Sequence, residues 1–494
     1  MTTHNKMQTN NDQPQVLCAQ GVLAGRRKHG VDAFFDIPYA AELGPARRFS
    51  LPLPPLAWEG VRDASAPGPV FPQMPSRLTP IMGTTAEFAN QSEDAFRLNV
   101  WRSSSPATGE KLPVLFWIHG GGWLTGGAAL SWYHGDTLAK SGRAIFVGVN
   151  YRLGALGNLY LPGETSGSMA LHDLLAALDW VHDNIAAFGG DRDSITLCGQ
   201  SAGAWYTSAL MASSAARGRF ASAILLSLPG SLKPQQPHDA GLLARAYCRL
   251  LDVPAQTASL RELPVARLLQ GQLLLAQAQS SFADIPETFL PLADASLPAD
   301  MLSAAASRSA GVPVLLGTLP DEMGAFLSHD RSAIDATETQ VLDRFDDVFG
   351  EEGAREYERR RHARPGASSY DLLVELTSDE IFREPTRRFA SDLTRAGSRV
   401  FLYDFTWRSK VPLVGACHCI ELPFVFDNFE RWADAGMLRD LDLAGARALA
   451  QEVQHALLNF VERGDPNGEG VPQWPAYNEH EKPALVFGGV KGSI

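Results

Sequence analysis

Cysteine is scarce in this 494-residue chain: five residues, at positions 18, 198, 248, 417 and 419. An odd, scattered set excludes a disulfide framework and fits a reducing, cytoplasmic compartment. Long apolar runs are missing as well, so no membrane span is expected. Residues 1–15 are polar and rich in Asn, Gln and Thr. They lack the apolar centre of a signal peptide and are expected to form a disordered tail. Positive charge is in deficit, with 43 Lys and Arg against 55 Asp and Glu and a net charge of −12. Such a surface repels phosphate backbones, which excludes nucleic acid as a partner. The one compact basic run, at 359–364, lies in a Glu-rich stretch and reads as a solvated helix face. Flexible linkers, repeats and low-complexity tracts are absent, so residues 16–494 read as one domain. Cys417-His418-Cys419 has no second Cys/His pair at zinc-site spacing, and three adjacent residues cannot all turn onto one ion. No metal and no cofactor is expected.

What is present is an alternation of apolar strands and helical patterns. Residues 112–119, 144–151, 194–199, 223–227, 312–318 and 400–405 are continuous apolar runs bounded by Gly and Pro. Strands that are apolar on both faces belong to a sheet covered on both sides. Helical periodicity falls at 168–188, 202–213, 242–279, 338–395 and 443–463. The order implies an α/β fold with a large, mostly parallel sheet. Stretches of helical pattern at about 232–310 and 327–397 read as insertions forming a cap or gorge over it.

Gly199-Gln200-Ser201-Ala202-Gly203 stands where the strand at 194–199 meets a helix. Glycines on either side of a serine permit a sharp strand-to-helix elbow that lifts the hydroxyl off the sheet. His119-Gly120-Gly121-Gly122 stands at the end of the strand at 112–119. Glycines there let backbone N–H groups face a substrate oxygen, so Gly121 and Gly122, with Ala202 as third donor, are the expected oxyanion hole. An acid should follow a later strand, and both Asp321 and Glu322 do; spacing does not choose between them. Of the histidines after the acid (His329, His362, His418, His455 and His480), His418 alone lies in an apolar loop where a base can be held dry. The large aromatics Trp123, Trp132, Trp205, Phe282 and Phe289 are candidates for the pocket wall.

With these residues in view, the chain resembles the type-B carboxylesterase (cholinesterase-like) family over nearly its whole length. The resemblance runs from Phe35-Asp36-Ile37-Pro38-Tyr39-Ala40 and Ser92-Glu93-Asp94 through the HGGG run and Asn150-Tyr151-Arg152 to Asn184–Asp191 and the GQSAG elbow. It implies the α/β-hydrolase fold and a serine esterase acting on a small-molecule ester. It assigns Glu322 as the acid and His418 as the base. It also makes Arg48 with Glu93, and Arg152 with Asp173, structural ion pairs. Residues 120–127 and 415–432 are most similar to the bacterial branch of the phenmedipham-hydrolase and p-nitrobenzyl-esterase type, which implies aryl carbamates as an alternative substrate class. Three positions depart from the family: Ala95 replaces a disulfide cysteine, Ser227-Leu228-Pro229 replaces Ser-Gly-Ser, and Gln200 replaces the glutamate of cholinesterases. The last removes a negative charge beside the serine and points from cationic towards neutral esters.

Overall fold

The computed structural model describes residues 13–105, 111–285 and 289–489. Its centre is a ten-stranded sheet. The strands in chain order are β1 (Gln15–Cys18), β2 (Gly21–Ala24), β3 (Arg26–Lys28), β4 (Val31–Pro38), β5 (Val61–Asp63), β6 (Arg97–Ser103), β7 (Leu112–Ile118), β8 (Ile145–Val149), β9 (Gly190–Gln200), β10 (Ser222–Leu226), β11 (Val314–Thr318), β12 (Val400–Phe405) and β13 (Leu485–Phe487). The large sheet runs in the order β13-β12-β11-β10-β9-β7-β8-β6-β4-β3. Every pair from β13 to β8 is parallel, and the pairs from β8 to β3 are antiparallel. Strands β1, β2 and β5 form a small separate sheet. Gln15 therefore opens a strand, and the carbonyl of buried Pro14 accepts from Gly25 N–H (2.8 Å), which corrects the expected end of the tail; residues 1–12 lie outside the described residues.

Alternation along β7 explains the two-sided cover. Val114, Phe116 and Ile118 join one buried cluster, while Leu115 and Trp117 join another on the opposite face. Helices supply the other half of each cluster. Helix α1 (Met169–Asn184) presents Leu171, Leu174, Leu178 and Val181 to the first. A long C-terminal helix (Leu443–Arg463) presents Val453, Leu457, Phe460 and Val461 to the second. The 338–395 stretch breaks into several helices, two of them opened by capping boxes, Thr337 with Gln340 and Ser368 with Asp371. The basic run sits in the helix Gly353–Ala363 and just after it. Arg359 and Arg360 pair with Glu356, Arg361 with Glu338 and Arg364 with Glu375. Among the described residues, no helix is long and apolar enough to cross a membrane.

Parallel strands place their C-terminal ends along one edge, where ligands bind in open α/β sheets. In register, Ile118 of β7 faces Gly199 of β9, and Gln200 faces Leu226 of β10. The loops leaving β7 and β9 therefore start side by side. Loops leaving β11 and β12 do the same, since Thr318 faces Asp404.

Candidate active site

Ser201 joins β9 to helix α2 (Ala202–Ala212) with φ 57° and ψ −124°. A positive φ is strained for any residue with a Cβ, and here the surroundings hold it. Ser201 N–H donates to the Leu226 carbonyl (2.9 Å), and Trp205 N–H donates to the Ser201 carbonyl (2.9 Å). Neither flanking glycine could carry a side chain. A Cβ on Gly199 would strike the backbone of Gly203, and one on Gly203 would strike the Ile118 carbonyl.

The glycine run leaving β7 is pressed against this elbow. A Cβ on Gly120 would stand 2.6 Å from Gln200 Oε1 and 3.0 Å from Ser201 Cβ. Gly121, Gly122 and Trp123 all have positive φ (117°, 60° and 61°). His119 anchors the run: its Nδ1 donates to the Gly120 carbonyl (2.8 Å), its ring stacks on Tyr151 (4.4 Å), and Tyr151 O–H donates to the His119 carbonyl (2.6 Å). Burial lowers the His119 pKa to about 4, so this ring is neutral at physiological pH. The N–H groups of Gly121, Gly122 and Ala202 have no acceptor among the described residues. Three unpaired donors beside one serine can stabilise an oxyanion.

The two glycines differ in what they tolerate. A Cβ on Gly121 would collide with the Thr125 carbonyl, whereas one on Gly122 would meet nothing within 4 Å. Gly121→Ala must shift the loop and its donor and is expected to cost ~10²–10³ in kcat for an aryl ester. Gly122→Ala carries only the left-handed penalty of about 1–2 kcal/mol. Its loss should be the smaller by at least roughly tenfold, measured by steady-state kinetics of both variants.

His418 lies between β12 and the short helix Leu422–Phe426, and is fully buried. Its Nδ1 is 2.6 Å from Glu322 Oε2, and the other oxygen, Oε1, accepts from Leu319 N–H (3.0 Å). Phe326 and Phe382 flank the imidazole, with centroids at 5.3 and 4.9 Å. Asp321, which spacing could not separate from Glu322, faces away. It pairs with Arg408 (2.8 Å) and accepts from Ala416 N–H (2.8 Å). The structure thus brings Glu322 and His418 together. It does not put Ser201 Oγ in hydrogen-bond contact with His418. His418 Nε2 instead meets the side-chain amide of Gln200 at 3.3 Å, and the same amide reaches Cys419 Sγ at 3.4 Å. With Nδ1–H donated to Glu322, Nε2 is left as an acceptor, the state a general base requires.

A second buried acid, Glu421, lies near enough to Glu322 and His418 to feel their charges. Glu421 Oε1 accepts from Ser227 O–H (3.5 Å), and its Oε2 has no partner among the described residues. Burial, reinforced by the charge of Glu322, pushes its pKa up to about 7. The thiols of Cys417 and Cys419 are pushed well above their ordinary value by burial, so both stay protonated. All five cysteines are free and buried.

The aromatic candidates separate. Trp123 and Trp205 form an edge-to-face pair (5.7 Å) beside the elbow. Phe282 is half-buried against the cluster that holds Phe382 and Met323. Trp132 stacks on Trp432 (4.9 Å) and Phe289 packs edge-on to Tyr247 (5.2 Å). Neither of these two ring contacts involves Ser201 or His418. Sequence reasoning missed Phe326 and Phe382. Phe326 lies one helical turn after Glu322 and had a signal in that spacing; Phe382 sits in a π-helical turn, Asp379–Arg383, which leaves no pattern. The charge pairs implied by resemblance are present. Arg48 grips Glu93 at 2.6 and 2.7 Å, and Arg152 grips Asp173 at 2.8 and 2.6 Å.

Comparison with known proteins gives a consistent set of matches. The model of the family described as "Carboxylesterase family" matches residues 12–489. Phenmedipham hydrolase of Pseudarthrobacter oxydans is 34% identical over 474 residues, covering 95% of this chain and 94% of the relative. Para-nitrobenzyl esterase of Bacillus subtilis is 34% identical over 491 residues, covering 96% and 94%. A crystal structure of a Geobacillus stearothermophilus carboxylesterase at pH 6.2 superposes with a TM-score of 0.84 at 34% identity, covering 96% of both chains.

Proposed function

Because the chain belongs to the carboxylesterase family, with the α/β-hydrolase fold and the activity of a serine carboxylic-ester hydrolase, we propose that Ser201 is its nucleophile, His418 its general base and Glu322 the acid that orients the base. The observation that carries this reading is the buried 2.6 Å bond between Glu322 and His418, on the sheet edge where the Ser201 elbow also stands. His418 Nε2 exchanges Gln200 for the Ser201 hydroxyl, takes its proton, and the alkoxide attacks the ester carbonyl. The N–H groups of Gly121, Gly122 and Ala202 hold the oxyanion. His418 then protonates the leaving alkoxide, and water repeats the sequence on the acyl-enzyme. Catalytic hydrogen bonds are often long in unliganded sites and tighten on binding, so the Gln200 contact is compatible with this order.

The preferred substrates are neutral esters with aryl or short-to-medium acyl groups. Gln200 puts an uncharged amide where a carboxylate would attract a cation, and Trp123, Trp205, Phe326 and Phe382 offer an apolar wall. The protein is proposed to work in the cytoplasm, consistent with five free cysteines. Aryl carbamates are the second reading, supported by the phenmedipham-hydrolase relative. Two measurements test the assignment. p-Nitrophenyl acetate and butyrate should turn over, and an aryl fluorophosphonate should stop turnover at one equivalent, with the adduct mass on the peptide containing Ser201. An adduct elsewhere, or full inhibition without one, overturns it. A carbamoyl-serine hydrolyses slowly, so comparing an aryl acetate with the matching aryl carbamate ranks the two substrate classes.

A further inference from the structure

The charged side chains close in sequence to Glu322 and Phe382 are committed to partners. Asp321 pairs with Arg408 (2.8 Å), Glu380 with Arg344 (2.6 Å), and Asp379 with Arg360 (2.8 Å) and Arg383 (2.6 Å). Arg77 is different. It belongs to the segment just before the short helix Thr79–Met82 and is exposed. Its guanidinium lies over the ring of Phe326 at 4.6 Å from the centroid, the same ring whose centroid is 5.3 Å from that of His418. It has no ion pair or hydrogen bond among the described residues. Asp284 is the acidic group that acts on it, but beyond ion-pair distance, and that carboxylate is already bonded to Ile285 N–H (2.7 Å) and Ser281 O–H (3.3 Å). Surrounding protein lowers the Arg77 pKa to about 10, although solvent reaches the side chain. It remains cationic at neutral pH.

We propose that Arg77 is a specificity-determining residue that extends the substrate range to esters carrying a carboxylate remote from the scissile bond, held by its guanidinium across the face of Phe326. The proposal rests on the serine-esterase reading of the site. Its chemistry is that of a planar fork lying over an aromatic ring, with donors that meet no acceptor among the described residues and can grip a carboxylate. The interior agrees with this class of ligand. Gln200 presents an amide beside the nucleophile, so no ionised carboxylate on the elbow opposes an anionic substrate. With a chain charge of −12, attraction of an anion has to be local.

The test uses two matched pairs, since the carboxylate could sit on either side of the ester. p-Nitrophenyl valerate is compared with p-nitrophenyl hemiglutarate, and phenyl acetate with 4-acetoxybenzoate. kcat/KM is measured for the wild type, Arg77→Gln and Arg77→Lys. Arg77→Gln should lower kcat/KM for the anionic member of at least one pair by about tenfold, mainly through KM. The neutral members should stay within about twofold, and Arg77→Lys should recover part of the loss. An unchanged anionic-to-neutral ratio in both pairs overturns the proposal. So does an equal fall for neutral and anionic esters, which would mean that Arg77 only supports Phe326. Failure of the wild type on both neutral esters would instead overturn the reading of Ser201 beneath it.

Discussion

Ser201→Ala is expected to lower kcat for p-nitrophenyl acetate by about 10⁵–10⁶-fold. The residual rate should come from the N–H groups of Gly121, Gly122 and Ala202, which remain in place when the hydroxyl is removed. Stability should barely move. Ser201 holds φ 57° through main-chain bonds to Leu226 and Trp205, and alanine has the same Cβ and the same backbone preference. Thermal melts of both proteins, run beside active-site titration to exclude wild-type carry-over, separate lost chemistry from lost folding. A variant retaining more than about 1% of wild-type kcat would show that another group carries the acyl transfer.

The second large effect comes from exchanging the acid. In Glu322→Gln, the amide oxygen should stay where Oε1 accepts from Leu319 N–H, because turning the NH₂ there would set donor against donor. The NH₂ then faces His418 Nδ1 and donates to it. That forces the proton to Nε2, the tautomer that cannot accept from Ser201, and a loss of about 10⁴ in kcat is expected. Asp321→Asn is the internal control. Asp321 meets Arg408 and the Ala416 N–H, not the imidazole, so its loss should stay below about tenfold and show more in thermal stability than in kcat. If the Asp321 variant proves the more damaging, Glu322 is not the acid.

The parts of the fold legible in the sequence are those where one interaction dominates. The six central strands are apolar on both faces, and each was readable to within a few residues; the largest shift was at the start of β9. There Gly190-Asp191-Arg192-Asp193 extends the strand through pairing of Gly190 with Leu112, against its charged composition. The helix Leu443–Arg463 ends at Gly464 in a left-handed conformation, a stop visible in the sequence. The antiparallel edge was not legible. Strand β3 is Arg26-Arg27-Lys28, wholly exposed, and only its pairing with β4 makes it a strand.

The candidate site divides in the same way. Backbone requirements leave strong signals: the elbow glycines at 199 and 203, the run 120–122, and the order of serine, acid and histidine. Side-chain surroundings leave weak ones. Trp132, Phe289 and Trp123 carry the same composition signal, and nothing in the spacing names their ring partners Trp432, Tyr247 and Trp205. The contact of Gln200 with His418 Nε2 depends on a rotamer, which no spacing encodes.

Two main-chain hydrogen bonds tie the loop after β11 to the loop after β12: Asp321 N–H to the Ala416 carbonyl (3.2 Å) and His418 N–H to the Glu322 carbonyl (3.1 Å). Asp321 and Cys417 form an isolated parallel bridge at the same place. Peptide groups, common to any sequence, therefore fix the spacing of Glu322 and His418. Side chains around them can be exchanged without detuning that spacing, so the surroundings can be rewritten for a new ester while the proposed acid and base stay aligned.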